Sequence, residues 1–261
     1  MSVERRIFED APSTAEACAQ YILGILKETL ATRDYATLAV SGGSTPKLLF
    51  EHMVAAKFKW DGVHLFWVDE RPVSPDDERS NFKLAQDALI GPAGIPKQQV
   101  HRIRAELHPT AAVEMYVDEI GSFFKLGPTE LPRFDVIQRG MGPDAHTASL
   151  FPAQPLISDR QKIAASVYVE KLSQWRITLL PGVLVAAHHT AVLVTGEDKA
   201  NAVRAVFEEP FDPMKYPAQV DMRDGKDVVC EGALTENYCS QENRCTLLRF
   251  SQRRSECDGN Q

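Results

Sequence analysis

The run Ala36-Thr37-Leu38-Ala39-Val40-Ser41-Gly42-Gly43-Ser44-Thr45-Pro46 decides the fold class. Its first five residues form a short, near-continuous apolar run, the pattern of a strand covered on both faces. Two glycines then permit a tight turn. Ser44 and Thr45 carry hydroxyls, and Pro46 suits the first turn of a helix. Apolar residues recur near helical spacing at Leu48, Leu49, Met53 and Val54. The segment therefore reads as strand, small-residue loop and helix N-terminus. Such a terminus presents unpaired N–H groups and a partial positive charge, so Gly42, Gly43, Ser44 and Thr45 are candidates to cradle a phosphate. The run is neither a P-loop nor a dinucleotide fingerprint. Taken alone, it reads equally well as an ordinary turn with a hydroxyl cap.

The same alternation continues outward. Residues 63–68 read as a strand that ends at Asp69-Glu70-Arg71, and 81–89 as a helix stopped by Gly91-Pro92. Residues 110–124 form an amphipathic helix with Ala111, Met115, Val117, Ile120 and Phe124 expected inward. Residues 134–138 are a strand running into Arg139-Gly140-Met141-Gly142. Further strands are expected at 163–169, 176–180 and 191–195, with a short helix at 183–187 and a longer one at 197–207. Buried-type strands, each followed by a turn and a helix, predict an α/β fold: a doubly wound, largely parallel sheet with helices on both faces. Ligands in such sheets sit beyond the carboxyl ends of the strands, where the polar turns fall. One domain is expected over 1–225. Residues 226–261 read as a divergent, poorly ordered tail, polar and dotted with cysteine.

Bulk properties narrow the function classes. The 261 residues carry 29 Lys+Arg against 36 Asp+Glu, a net charge of −7. That surface repels nucleic acid and anionic membranes, while a local cationic pocket can still hold an anionic metabolite. There is no apolar run of about 18 residues for a membrane span. The charged N-terminus has no secretory pattern, which predicts a cytoplasmic chain. The five cysteines, Cys18, Cys230, Cys239, Cys245 and Cys257, include no Cys-x-x-Cys, so neither a zinc site nor a redox motif is expected.

Three more turns can carry chemistry. Arg71 can fork onto a phosphate through two parallel bonds, or it can serve a structural ion pair with a neighbouring carboxylate. In Gly140-Met141-Gly142-Pro143-Asp144-Ala145-His146 a carboxylate precedes a histidine by two residues. A neutral imidazole takes a proton from water near neutral pH, and a nearby carboxylate orients it. A hydrogen-bonded structural histidine fits this motif as well. Lys199 falls in the first turn of a helix, where the dipole disfavours a cation unless an anion is present; a solvated surface lysine is the alternative.

In this order and spacing the four segments resemble the 6-phosphogluconolactonase family, related to glucosamine-6-phosphate isomerases and deaminases. The marks are Ser-Gly-Gly-Ser-Thr-Pro, Trp67-Val68-Asp69-Glu70-Arg71 with Ser80-Asn81, and Gly140 through Pro152. Thr195-Gly196 with Lys199-Ala200, and Tyr216-Pro217-Ala218-Gln219, agree. The resemblance implies hydrolysis of 6-phospho-D-glucono-1,5-lactone to 6-phosphogluconate in the oxidative pentose phosphate pathway, with no cofactor and no metal, by a monomer. It implies His146 as general base, with Asp144 orienting it or holding the water. Arg71, Lys199 and the 41–45 loop would hold the phosphate. The backbone of Gly140, Met141 and Gly142 would serve the oxyanion.

Ala145 stands where the family usually has glycine, and Arg139 where it has an apolar residue. Arg139 is expected to face solvent or to add to the phosphate field. Two rivals stay open: an amino-sugar-phosphate isomerase or deaminase, and a non-catalytic sugar-phosphate sensor. Leu150-Phe151 stands where the deaminases carry an acid–base glutamate, and His146 with Asp144 is intact where a sensor would be free to lose its base.

Overall fold

The computed structural model describes residues 3–222 and 227–232. Seven parallel strands form the central sheet: β1 (Glu4–Phe8), β2 (Ala36–Val40), β3 (Val63–Trp67), β5 (Val100–His101), β6 (Val136–Arg139), β9 (His189–Thr195) and β10 (Asp227–Gly232). Their order is β1-β10-β9-β6-β2-β3-β5. All five residues of β2 are buried, as the apolar run at 36–40 predicts. From β2 the chain moves outward to β3 and β5, then returns to the other side of β2 as β6. The sheet thus reverses direction between β2 and β6, and such a switch point opens a crevice at the strands' carboxyl ends.

Helix α1 (Ala11–Leu30) and α2 (Ser44–Ala55) pack on each other, and α1 lies against β9 and β10. The sequence pattern predicts no element in the first 35 residues. The structure places β1 and α1 there, with Asp10 capping α1 by accepting from Ser13 N at 2.8 Å. Residues 227–232, read as the start of the tail, form β10 between β1 and β9. Residues 233–261 lie outside the described residues.

Three expectations are corrected. The strands expected at 163–169 and 176–180 do not join the parallel sheet. As β7 (Ala164–Val169) and β8 (Gln174–Leu179) they form an antiparallel hairpin, and β8 also pairs with the short β4 (Asp69–Glu70). Gly91-Pro92 does not stop the helix that follows α3 (Asn81–Ala85). A π-turn at Gln86–Ile90 lets helical backbone run on to Ala93, and Gly94, at φ 68, ends it. A proline lacks the helical N–H and crowds the preceding turn, and widening the turn is one way to accommodate both defects. In the helix Pro109–Phe124 the inward stripe is Ala112, Tyr116 and Ile120, one position off the expected phase at its start, and Met115 is exposed. The Tyr116 hydroxyl explains the choice. It donates to Trp67 O at 2.7 Å and accepts from Trp67 N at 2.9 Å, supplying β3 with partners where its ladder ends.

The core divides in two. The larger part centres on β2, β3 and β6, with Phe66 and Phe124 each in edge contact with Phe134 and tilted against each other. The smaller joins Met141 and Ala145 to Val192, Val194, Val203 and Val206. It anchors the 140–146 turn against β9 and the helix Ala200–Glu208.

Candidate active site

A cleft of about 290 Å³ opens at the switch point between β2 and β6. It is lined by the 41–46 loop, Asp69, Arg71, Asn81, the 140–143 turn, His146 and Lys199. The structure therefore brings together the predicted phosphate-binding, basic and oxyanion candidates, with Asp144 directly behind His146.

The 41–46 loop is fixed from β6. Ser41 N donates to Gln138 Oε1 at 3.0 Å, and Ser41 Oγ to Gln138 O at 3.2 Å. Gly43, at φ 123, takes a backbone conformation that side chains rarely adopt. Gly42 is required by space, since a Cβ there would lie 1.7 Å from Asn81 Oδ1. No side chain caps α2, and its first residues, Ser44 and Thr45, line the cleft, so the uncapped N-terminus is available to a ligand. The Thr45 hydroxyl is shared with Thr195 Oγ1 at 2.8 Å, which leaves one hydroxyl proton of the pair for a ligand.

Arg71 is held by a network whose hub is Glu70, a residue that its sequence context does not single out. Glu70 is 2% exposed. Its carboxylate accepts from Arg71 N, Asn81 N and Phe82 N, each at 2.8 Å, and from Ser80 Oγ at 3.1 Å. Burial pushes its pKa up and the three amides pull it back, with a net upward direction. Asn81 in turn donates to Asp69 O at 2.7 Å and accepts from Arg71 Nη1. The adjoining cleft, about 390 Å³, adds Lys47, Arg79 and Arg176 beside Arg71. Arg176 is 9% exposed. Burial lowers its pKa, the Arg71 charge lowers it further, and Asp69 and Glu70 oppose both. A lone arginine in a strand of ordinary sequence gave no signal for this; only folding places it near Arg71.

His146 is built by the turn after β6. Its Nδ1 lies 2.5 Å from Asp144 Oδ1, and its backbone N donates to the same oxygen at 3.2 Å. The imidazole stacks on Phe151, with ring centres 4.3 Å apart. Lys171, also unforeseen, donates to Asp144 Oδ2. Burial alone would raise the Asp144 carboxyl, but bonds from His146 and Lys171 outweigh it and hold it well below the usual carboxylate range. Gly142 makes room for the ring: a Cβ would lie 2.0 Å from His146 Cε1. The Gly142 amide is spent on His146 O at 3.0 Å, which removes it as an oxyanion donor and leaves Gly140 and Met141 as candidates.

The two departures from the family resolve differently. Ala145 sits at φ 61 and is fully buried, so this residue carries the left-handed strain that a glycine would avoid. Arg139 neither faces solvent nor lines the cleft. It is fully buried, and Nη1 donates to Thr147 Oγ1 at 2.6 Å, which donates to Gly140 O at 3.0 Å. Arg139 thus braces the 140–147 turn from beneath. Ser149 Oγ is buried and donates to Asp69 Oδ2 at 2.6 Å. Lys199 is half-buried on the cleft wall, and its Nζ donates to Thr195 O at 2.9 Å. Among the described residues no cluster suits a metal ion, and no helix is long and apolar enough to cross a membrane.

A parallel α/β sheet with a cation-lined cleft and a carboxylate-oriented histidine at its switch point defines a protein suited to a small anionic ligand. The chain belongs to the family described as glucosamine-6-phosphate isomerases/6-phosphogluconolactonase, which matches over residues 9–229. A 6-phosphogluconolactonase of Nostoc sp. is 38% identical over 184 residues, covering 70% of this chain and 76% of the relative. One of Treponema pallidum is 33% identical over 213 residues, covering 80% and 86%. The crystal structure of 6-phosphogluconolactonase from Leishmania guyanensis superposes with a TM-score of 0.78 at 27% identity, over 89% of this chain and 97% of that one.

Proposed function

We infer that the chain hydrolyses 6-phospho-D-glucono-1,5-lactone to 6-phospho-D-gluconate, the lactone-opening step of the oxidative pentose phosphate pathway. Curated relatives bearing the lactonase name support the reaction. The observation that carries the mechanism is the short contact between His146 Nδ1 and Asp144 Oδ1. A proton held on Nδ1 by the carboxylate leaves Nε2 as the basic nitrogen. Water attacks the C1 carbonyl carbon as Nε2 takes its proton, and the carbonyl π electrons move to oxygen. The tetrahedral intermediate collapses, the bond from C1 to the ring oxygen breaks, and the imidazolium returns its proton to that oxygen. The product is an open-chain acid that ionises in water. An ester this reactive needs a placed water and a base but no covalent nucleophile, and Ser149 is spent on Asp69.

In this reading Arg71, Arg176 and the N-terminus of α2 hold the phosphate, with Lys199 on the opposite wall. Two guanidiniums side by side repel, and an anion between them relieves that cost. Amides of Gly140 and Met141 face the developing oxyanion.

The test generates the lactone in situ from glucose 6-phosphate and follows 6-phosphogluconate through a coupled dehydrogenase, with spontaneous opening subtracted. The reading expects strong acceleration, and no ammonia released from glucosamine 6-phosphate. Ammonia release without lactone hydrolysis would replace it with the deaminase; neither activity from folded protein would favour a sensor.

A further inference from the structure

Lys171 lies in the turn between β7 and β8, outside every motif that the family reading uses. Its ammonium donates to Asp144 Oδ2, the oxygen that faces away from His146, and stands 4.6 Å from the centre of the Phe151 ring. Phe151 is the ring on which His146 stacks. Lys171 and His146 therefore share two partners without being neighbours in sequence. A carboxylate at Nδ1 favours the charged imidazole, and a cation on the carboxylate's other oxygen withdraws part of that effect. The same bond fixes the rotation of Asp144. Without Lys171, the bonds left to the carboxylate among the described residues are those to His146, two residues along the same turn.

The hairpin gives the contact a wider meaning. Strand β8 pairs through Glu70↔Ile177 and Asp69↔Thr178 with β4, and the next residue is Arg71. One small sheet thus runs from the phosphate-side residues to the carboxylate behind the base. The ordinary alternative is an exposed ion pair that contributes little, since the Lys171 side chain is about half exposed. That alternative predicts no effect on the titration of His146.

We propose that Lys171 is a positioning residue which, through Asp144, sets both the orientation of His146 and its affinity for a proton. The role as base rests on the function proposed above; the coupling itself does not. The charged groups around the imidazole are Asp144 on its own turn, Lys171 on the hairpin, Asp69 and Arg71 at the β4 side and Lys199 beyond β9. Substitution at 171 leaves all the others in place.

The experiment compares wild type, Lys171→Met and Lys171→Arg. The His146 Hε1 resonance, assigned by its loss in His146→Gln, is titrated by NMR, and the acid limb of kcat/KM is measured in the lactone assay. Lys171→Met is expected to raise the NMR midpoint by about half a unit to one unit, with Lys171→Arg close to wild type. An unmoved midpoint in Lys171→Met overturns the proposal. A midpoint that moves while the acid limb stays fixed upholds the coupling and removes His146 as the base, so the two failures are separable.

Discussion

Gly142 and His146 are fitted so closely that the Cβ missing from one would lie 2.0 Å from Cε1 of the other and 2.2 Å from its Nδ1. The Gly142 amide also donates to His146 O. A methyl group here must push the ring from its bond with Asp144. A displacement near 1 Å of a reacting group costs about 100-fold in rate. Gly142→Ala is therefore expected to lower kcat by roughly two orders of magnitude with a smaller change in KM. A kcat within threefold of wild type would show that the ring does not need this placement.

Arg71 and Arg176 converge on the same cation-lined cleft. If a phosphate bridges them, each truncation weakens substrate binding, and the loss in the double variant differs from the sum. Arg71→Ala and Arg176→Ala are expected to raise KM about tenfold or more, and Arg71→Lys to recover only part, because an ammonium cannot reproduce the fork. Titration with the product 6-phosphogluconate in a calorimeter checks this independently of rate. Undiminished binding in both variants would move the phosphate elsewhere.

Glu70 accepts four hydrogen bonds while almost fully buried. Glu70→Gln puts an amide NH2 where one oxygen faces donors, so at least one buried donor loses its partner. The expected loss of stability is about 2–3 kcal/mol, visible as a lower urea midpoint. KM should rise too, because Arg71 and Asn81 lose their shared anchor. Wild-type stability in this variant would mean that the four contacts contribute little.

His64 Nδ1 lies 2.9 Å from His101 Nε2, and His101 Nδ1 lies 2.8 Å from Glu119 Oε1. Burial, with the neighbouring His101, lowers the His64 pKa below its usual 6.5. The unfolded chain therefore binds this proton more readily than the folded one. Stability from this site is complete above about pH 6.5 and falls as pH drops below it. His64→Gln, which keeps a hydrogen-bonding side chain but cannot titrate, is expected to flatten the loss below about pH 6.5 in urea unfolding. A pH slope identical to wild type would rule the histidine pair out as its source.

What the sequence disclosed follows from locality. The turns at 41–46 and 140–146 declare themselves because glycine, proline and hydroxyl residues answer constraints within a few positions, and the run 36–40 is apolar because both its faces are covered. The partners of those turns are not local. Nothing in the run 164–179 states that it folds into a hairpin whose second strand pairs antiparallel with β4, since strand direction depends on what lies alongside. Glu70 reads as one carboxylate among three charges, and its role appears only when residues 80–82 fold back onto it. Arg139 reads by its charge as facing solvent or adding to the phosphate field, yet it is buried against Thr147. Lys171 reaches Asp144 across 27 positions, a distance no spacing rule spans. Met115 and Tyr116 exchange places because a hydroxyl, which hydropathy undervalues, completes the end of β3.

The central claim is that His146, held by Asp144, activates water against the lactone. The direct measurement is 6-phosphogluconate formation by wild type and by His146→Gln of equal circular dichroism and urea midpoint. Loss of the base is expected to lower kcat by about 100- to 10,000-fold, with KM little changed. A folded His146→Gln enzyme that keeps wild-type kcat would contradict the account and leave the water to be activated by another group of the cleft.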